Sequence, residues 1–198
     1  KQKIKNILST PPNIINFISL NYTDTLEKIL SGGIISKVIY HIGPTQHLHG
    51  TTTNYLTLGV SDESQLSPGM SARAKRYLVK SSQIDATNDG RLEVFNSVLR
   101  SSSLVVLFGT SIGTTDKYIW VQLVNWLSAN TNRFILIHKY DSNFNENSRL
   151  SAWRENSFVE NVQDSLLMYS KLTESIKDDL KRRIFVVHNT KKIFVPKN

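Results

Sequence analysis

Short apolar runs alternate with amphipathic stretches along most of this chain. Residues Asn13 to Leu20 (NIINFISL) follow Pro11-Pro12 and are rich in β-branched side chains, which predicts a buried strand ending at Asn21. Thr23 or Asp24 then caps a predicted helix to about Ser31, with Leu26, Ile29 and Leu30 on one face and Gly32-Gly33 as its stop. Ile34 to Ile42 predicts a second strand, closed by Gly43-Pro44 and followed by a polar turn, His47-Leu48-His49-Gly50. Tyr55 to Val60 alternates weakly as a third strand candidate, and Ser61 to Gly69 is a polar loop. Ser71 to Lys80 predicts a basic helix, and Arg91 to Arg100 another, with Leu92, Phe95 and Leu99 at helical spacing.

Leu104 to Phe108 (LVVLF) has the pattern of a fully buried strand and runs into Gly109-Thr110-Ser111. A helix from about Asp116 to Ala129 follows, with Ile119, Trp120, Leu123, Val124 and Leu127 facing a core. Phe134 to His138 predicts the next strand, Leu150 to Tyr169 a long helix, and Thr173 to Arg183 a shorter one. Ile184 to Val187 predicts a further strand, and Lys191 to Val195 an edge strand. Strands alternating with helices predict an α/β fold with a mainly parallel sheet flanked by helices. No internal repeat, low-complexity tract or long linker divides the 198 residues, so one domain over 1–198 is expected.

Composition narrows the chemistry. The chain has no cysteine, which excludes disulfides, a thiol nucleophile and cysteine-held metals. No apolar run reaches the roughly 20 residues of a membrane helix, and no signal-peptide pattern opens the chain, so a cytoplasmic protein without membrane contact is expected. Lys and Arg number 24 against 16 acids, a net +8. From Lys171 to Asn198 the balance is eight against three. That excess favours anionic partners without choosing among nucleic acid, nucleotides and acidic proteins.

Two polar segments follow predicted strands, where open parallel sheets place their ligands. Asn21 follows the first strand. Gly109 allows a sharp turn after Phe108, and Thr110 and Ser111 offer hydroxyls near a helix start, a combination suited to phosphate or ribose. It is neither a GxGxxG nor a P-loop pattern, and an ordinary strand–helix turn reads the same way. His41, His47 and His49 cluster within nine positions. Asp62 could complete a metal site with His47 and His49, but nothing in the spacing fixes that third ligand, and no metal is assigned. His49, before Gly50, is the candidate base, since imidazole exchanges protons near neutral pH. Asp116 reads first as a helix N-cap. Arg73, Lys75, Arg76, Tyr77 and Lys80 read as a solvated helix face or as a phosphate-tracking surface.

Three segments in this order, FISLNYTDTLEKIL (Phe17 to Leu30), HLHG (His47 to Gly50) and LFGTSIGTTDKYIW (Leu107 to Trp120), resemble the bacteriophage abortive infection protein AbiH family. They resemble, more distantly, sirtuin-like NAD-binding domains of bacterial antiphage systems. The resemblance implies a Rossmann-like, sirtuin-like fold and an NAD site, with Asn21 and His49 catalytic and Gly50, Gly109, Thr110, Ser111 and Asp116 binding the nucleotide. It implies that NAD is ligand or substrate, hydrolysed to nicotinamide and ADP-ribose, with a nucleotide-sensing module that does no chemistry as the alternative and a nucleic-acid-acting effector as a third reading. The partners it implies are a nucleotide, a phage component or nucleic acid on the basic surface, and a second copy of the chain. The family's glycine-rich Gly-Asn-Gly-Phe-Asp opening has no counterpart here, which implies the C-terminal part of a longer protein. Thr23 stands where the sirtuin-like pattern has an acid. Beyond Tyr140 no resemblance is found.

Overall fold

The computed structural model describes residues 2–9, 13–31, 40–87, 90–141 and 151–188. They form two compact units. The first holds the described residues up to Ser101 together with the short turn Thr114–Asp116; the second holds Ser102–Gly113 and the described residues from Lys117 onward. Both are α/β, with parallel strands and packed helices, as the alternating pattern predicts.

The first unit opens with a helix, α1 (Gln2–Ser9), which the sequence reading does not anticipate. Its Ile4 is buried, and Ile4, Ile7 and Leu8 stand at i, i+3 and i+4, a helical spacing that covers only one turn and is too short to read as a period. Strand β1 (Asn13–Ser19) pairs in parallel with β2 (Tyr40–His47), and α2 (Thr25–Ser31) lies between them in sequence. Of the predicted strand over 34–42, residues 34–39 lie outside the described residues; the rest belongs to β2, which runs on through Gly43-Pro44 to His47. A bulge makes this possible. Ile15 pairs with Ile42 but Phe17 pairs with Thr45, so β2 spends one extra residue where Pro44 has no N–H to give. Gly43 lies against Asn16, whose Oδ1 would stand 2.6 Å from an added Cβ.

The predicted strand over Tyr55 to Val60 is corrected to irregular chain, tied down by an isolated bridge from Val60 to Val79. Tyr55 adopts φ 49° and Gly59 φ 150°, which breaks any extended run. The basic helix is also corrected, to two: α3 (Ala72–Leu78), capped by Ser71, and α4 (Lys80–Thr87), separated at Val79, which the bridge to Val60 holds in an extended conformation. Helix α5 (Arg91–Ser101) buries Arg91, Phe95 and Leu99, so its inward stripe begins at Arg91 rather than Leu92.

The second unit contains β3 (Leu104–Phe108), α6 (Lys117–Ser128), β4 (Phe134–Lys139), α7 (Ser151–Leu167), α8 (Glu174–Lys181) and β5 (Ile184–His188). Its strands form a parallel sheet in the order β3-β4-β5. The LVVLF strand is not fully buried. It lies at one edge of the described sheet, with Val106 49% and Phe108 51% exposed; the buried strand is the central β4, through Phe134, Ile135 and Ile137. The alternation along β3 is masked because both of its faces carry apolar side chains. Helix α6 buries Ile119, Trp120, Leu123, Val124 and Leu127, as its spacing predicts, and Trp126 as well. Arg183 donates to the carbonyls of Leu127 (2.6 Å) and Asn130 (2.8 Å), closing the turn between α6 and β4. Gln163 on α7 donates to the carbonyls of Lys181 and Ile184, holding the entry to β5. The predicted edge strand Lys191 to Val195 lies outside the described residues.

Trp120 anchors this unit. It is fully buried, and its indole N–H donates to the Gly113 carbonyl at 2.8 Å. Trp120→Ala should cost about 3–5 kcal/mol, the range for truncating a large core aromatic. Urea unfolding of the variant should show a lower midpoint at the same slope.

Candidate functional site

The end of β1–β2 gathers the polar residues of two distant segments. Asn21 follows β1 and is exposed; its backbone carbonyl accepts a hydrogen bond from His47 Nδ1 at 2.9 Å. His47 Nε2 lies 2.6 Å from Glu27 Oε1 on α2. Just after β2, Leu48 N–H donates to the Ser19 carbonyl, and Thr52 N–H donates to the Tyr22 carbonyl. Leu48 and His49 are buried, so the HLHG segment forms a buried turn and not the expected polar one.

His49 is only 2% exposed. Its Nε2 lies 3.2 Å from Asp116 Oδ1, and its ring sits 6.1 Å from that of Tyr22, whose hydroxyl donates to the Thr57 carbonyl. Lys80 Nζ meets the same Asp116 oxygen at 2.7 Å. One carboxylate oxygen thus takes donors from two side chains that are themselves buried. Burial pushes the Asp116 carboxyl up, but the hydrogen bonds and charges of His49 and Lys80 outweigh it and hold the group below its ordinary value. Asp116 is therefore a partner of His49 and Lys80, where the sequence reads first as a helix N-cap. Lys80 is corrected from a solvated or phosphate-tracking position to a buried ion-pair partner. The break at Val79 turns it inward while Arg73, Arg76 and Tyr77 remain exposed.

Arg91 holds the turn from below. Its guanidinium donates to the carbonyls of Leu48 and Tyr55, both at 3.2 Å, and lies 3.5 Å from the hydroxyls of Thr57 and Thr87. Thr57 N–H in turn donates to the His49 carbonyl at 2.8 Å. Gly50 follows with φ 74°, and a Cβ there would stand 2.1 Å from the Tyr55 carbonyl oxygen. That contact explains why glycine follows the histidine without reference to any ligand. Arg91, Glu27 and Tyr22 are the residues that sequence reasoning missed; Lys80 stands out in the sequence, but as part of a surface cluster. Arg91 leaves a faint signal, a cation four and eight positions before the buried Phe95 and Leu99.

Gly109, Thr110 and Ser111 belong to the second unit. Gly109 does turn the chain sharply, with φ 64° and open space around its Cα. The helix start is more distant than the spacing implies. Ser111-Ile112-Gly113 and the 3-10 turn Thr114–Asp116 intervene before α6, so Thr110 and Ser111 do not stand at the first turn of a helix. Thr110 Oγ1 points at the Ser111 carbonyl (3.4 Å). His41 is an exposed residue of β2. His47 and His49 engage different carboxylates, and among the described residues no group of three His, Asp or Glu is placed to hold a metal ion.

Two outcomes follow from this geometry. Gly50→Ala should destabilise the protein by about 3 kcal/mol or more, since it adds backbone strain to a steric overlap; thermal unfolding should show the loss. Asp116 contributes stability above the ordinary aspartate value of 3.8, and this is lost as pH falls through its lower folded value. Stability measured from pH 5 down to pH 2 should therefore fall less steeply in Asp116→Asn than in the unsubstituted chain.

Neither a curated protein nor a solved structure matches the chain. No helix among the described residues is long and apolar enough to cross a membrane. A family model described as Bacteriophage abortive infection AbiH matches residues 1–138, which takes in the β1–β2 end, the HLHG turn, the Asp116 turn and the sheet as far as β4. With more than two thirds of its length matched, the chain belongs to the AbiH family.

Proposed function

We propose that this chain, whose family gives it a role in phage abortive infection, acts there on a nucleotide, NAD, at the carboxyl end of β1–β2. The supporting observation is the pair of contacts made by the His47–Gly50 segment: His47 meets the Asn21 carbonyl and Glu27, and His49 meets Asp116. An exposed amide follows β1, its backbone carbonyl met by His47; two residues on, the buried imidazole of His49 is held by a carboxylate that a lysine also holds. Asn21 would bind ribose hydroxyls or a water through its amide. His49 would hold a ribose hydroxyl or take the proton of that water, with Asp116 fixing the ring.

Nicotinamide departs from a positively charged pyridinium and carries the bonding pair away as a neutral molecule. The C–N bond at the ribose breaks, the water oxygen bonds to the same carbon, and one water proton passes to the base. No strong acid is required. The demands on the protein are to orient the ribose and to accommodate positive charge developing on it. Gly109, Thr110 and Ser111 remain candidates for phosphate or ribose through their turn, hydroxyls and amides.

One observation favours a second reading, a nucleotide-sensing module without chemistry. His49 has 2% of its surface exposed, which leaves a substrate little access in this conformation. Thr23, where the resembling pattern has an acid, points the same way.

Incubation of the protein with NAD, followed by chromatography for free nicotinamide, separates the readings. Turnover that falls at least about 100-fold in Asn21→Ala and His49→Ala is the expected result for a site that positions water and ribose. A rise in unfolding temperature with NAD but no nicotinamide supports the sensing module. Neither signal overturns both readings.

A further inference from the structure

Large exposed apolar side chains of the first unit occur on the segment Tyr55 to Val60, whose end runs beside the last residues of α3, and on α3 itself. Tyr55, Leu56 and Leu58 are exposed on that segment, and Tyr77 and Leu78 on the helix. The two pieces are fixed against each other. Val60 N–H donates to the Leu78 carbonyl (2.8 Å), Lys80 N–H donates to the Val60 carbonyl (2.9 Å), and Gln83 donates to the Leu58 carbonyl (2.7 Å). Gly59 passes so close that a Cβ would stand 2.1 Å from the Leu78 carbonyl oxygen. The apolar side chains are therefore displayed by a braced surface.

Helix α3 adds charge. Arg73, Arg76 and Tyr77 occupy positions i, i+3 and i+4 and share one face. All three are exposed, with Tyr77 at 67%. Lys75 pairs with Glu63 at 3.5 Å, whereas neither Arg73 nor Arg76 has a carboxylate partner among the described residues. An exposed tyrosine beside two guanidiniums without a carboxylate partner among the described residues, with the exposed Leu58 and Leu78 on the adjoining chain, matches the needs of unstacked bases on a phosphate backbone. Aromatic rings take the base faces, arginines take the phosphates, and apolar side chains cover the remaining base surface. A duplex, whose bases face inward, would use the arginines but not the rings. The net charge of +8 acts in the same direction at longer range.

We propose that the surface formed by α3 and the Tyr55–Leu58 segment binds single-stranded nucleic acid, with Arg73 and Arg76 on phosphates and Tyr77 stacked on a base. This surface is distinct from the NAD reading and does not depend on it.

Fluorescence anisotropy tests it, with the full chain and a labelled 20-nucleotide deoxythymidine strand, an RNA of the same length and a DNA duplex, each at several salt concentrations. Single strands should bind, and more tightly than duplex. Arg73→Ala/Arg76→Ala should make the slope of log affinity against log salt shallower by roughly 1.4, two phosphates at about 0.7 each. Tyr77→Ala should weaken single-strand binding about ten-fold and leave the salt slope unchanged. All three positions are exposed, so circular dichroism should report an unchanged fold. Absence of single-strand binding at low salt overturns the proposal. So does binding that the double variant and Tyr77→Ala leave intact. Equal affinity for polyglutamate and for the oligonucleotide, with no effect of Tyr77→Ala, would identify a general anion or acidic-protein surface and overturn it as well.

Discussion

A turn buried at the end of two parallel strands must satisfy its backbone without water, and the first unit is arranged around that demand. Residues Leu48 to Thr57 leave β2 and turn back on themselves, Thr51 pairing with Asn54 and Thr57 with His49. Arg91 takes the carbonyls of Leu48 and Tyr55, Thr57 N–H takes that of His49, and Ser19 accepts from Leu48. The imidazole of His49 is placed by this backbone, and Asp116 meets it there. A half-buried carboxylate between a buried imidazole and a buried ammonium depends on both partners; removing the carboxylate leaves the ammonium of Lys80 buried without its counter-charge. The arrangement spends stability on position, a common property of binding sites.

Much of the architecture is legible in the sequence because its period is clean. The core stripe of α6, the run of β4 and the start of α8 after Thr173 follow from spacing and caps alone. Legibility fails where tertiary contact overrides local pattern. Gly43-Pro44 reads as a strand end, yet pairing with β1 carries β2 through it on a bulge. Tyr55 to Val60 alternates like a strand, but positive φ at Tyr55 and Gly59 converts it to a braced loop. LVVLF is apolar throughout, and nothing local tells an edge strand with one open face from a central one.

The candidate site was half visible. Asn21, His49, Gly50 and Asp116 stand out by residue type and by position after strands, and the structure joins His49 to Asp116 across 67 positions of sequence. What joins them further was hidden. Lys80 ends a basic run that reads as surface, and only the break at Val79 turns it inward. Arg91 looks like a solvated first-turn residue until its guanidinium is seen to serve backbone carbonyls far along the chain. Such roles depend on where another segment arrives, which no local pattern encodes.

The bulge in β2 has a consequence for the imidazole nearest Asn21. Side chains along a strand alternate between faces, and one additional residue exchanges every face beyond it. Ile42, Thr45 and His47 stand opposite Ile15, Phe17 and Ser19 because that additional residue falls between Ile42 and Thr45. In an uninterrupted pairing Gln46 would oppose Ser19, and a neutral amide would occupy the place from which His47 reaches Glu27. The place of His47 thus depends on register as much as on residue type: loss of the bulge with the length unchanged would put Gln46 there.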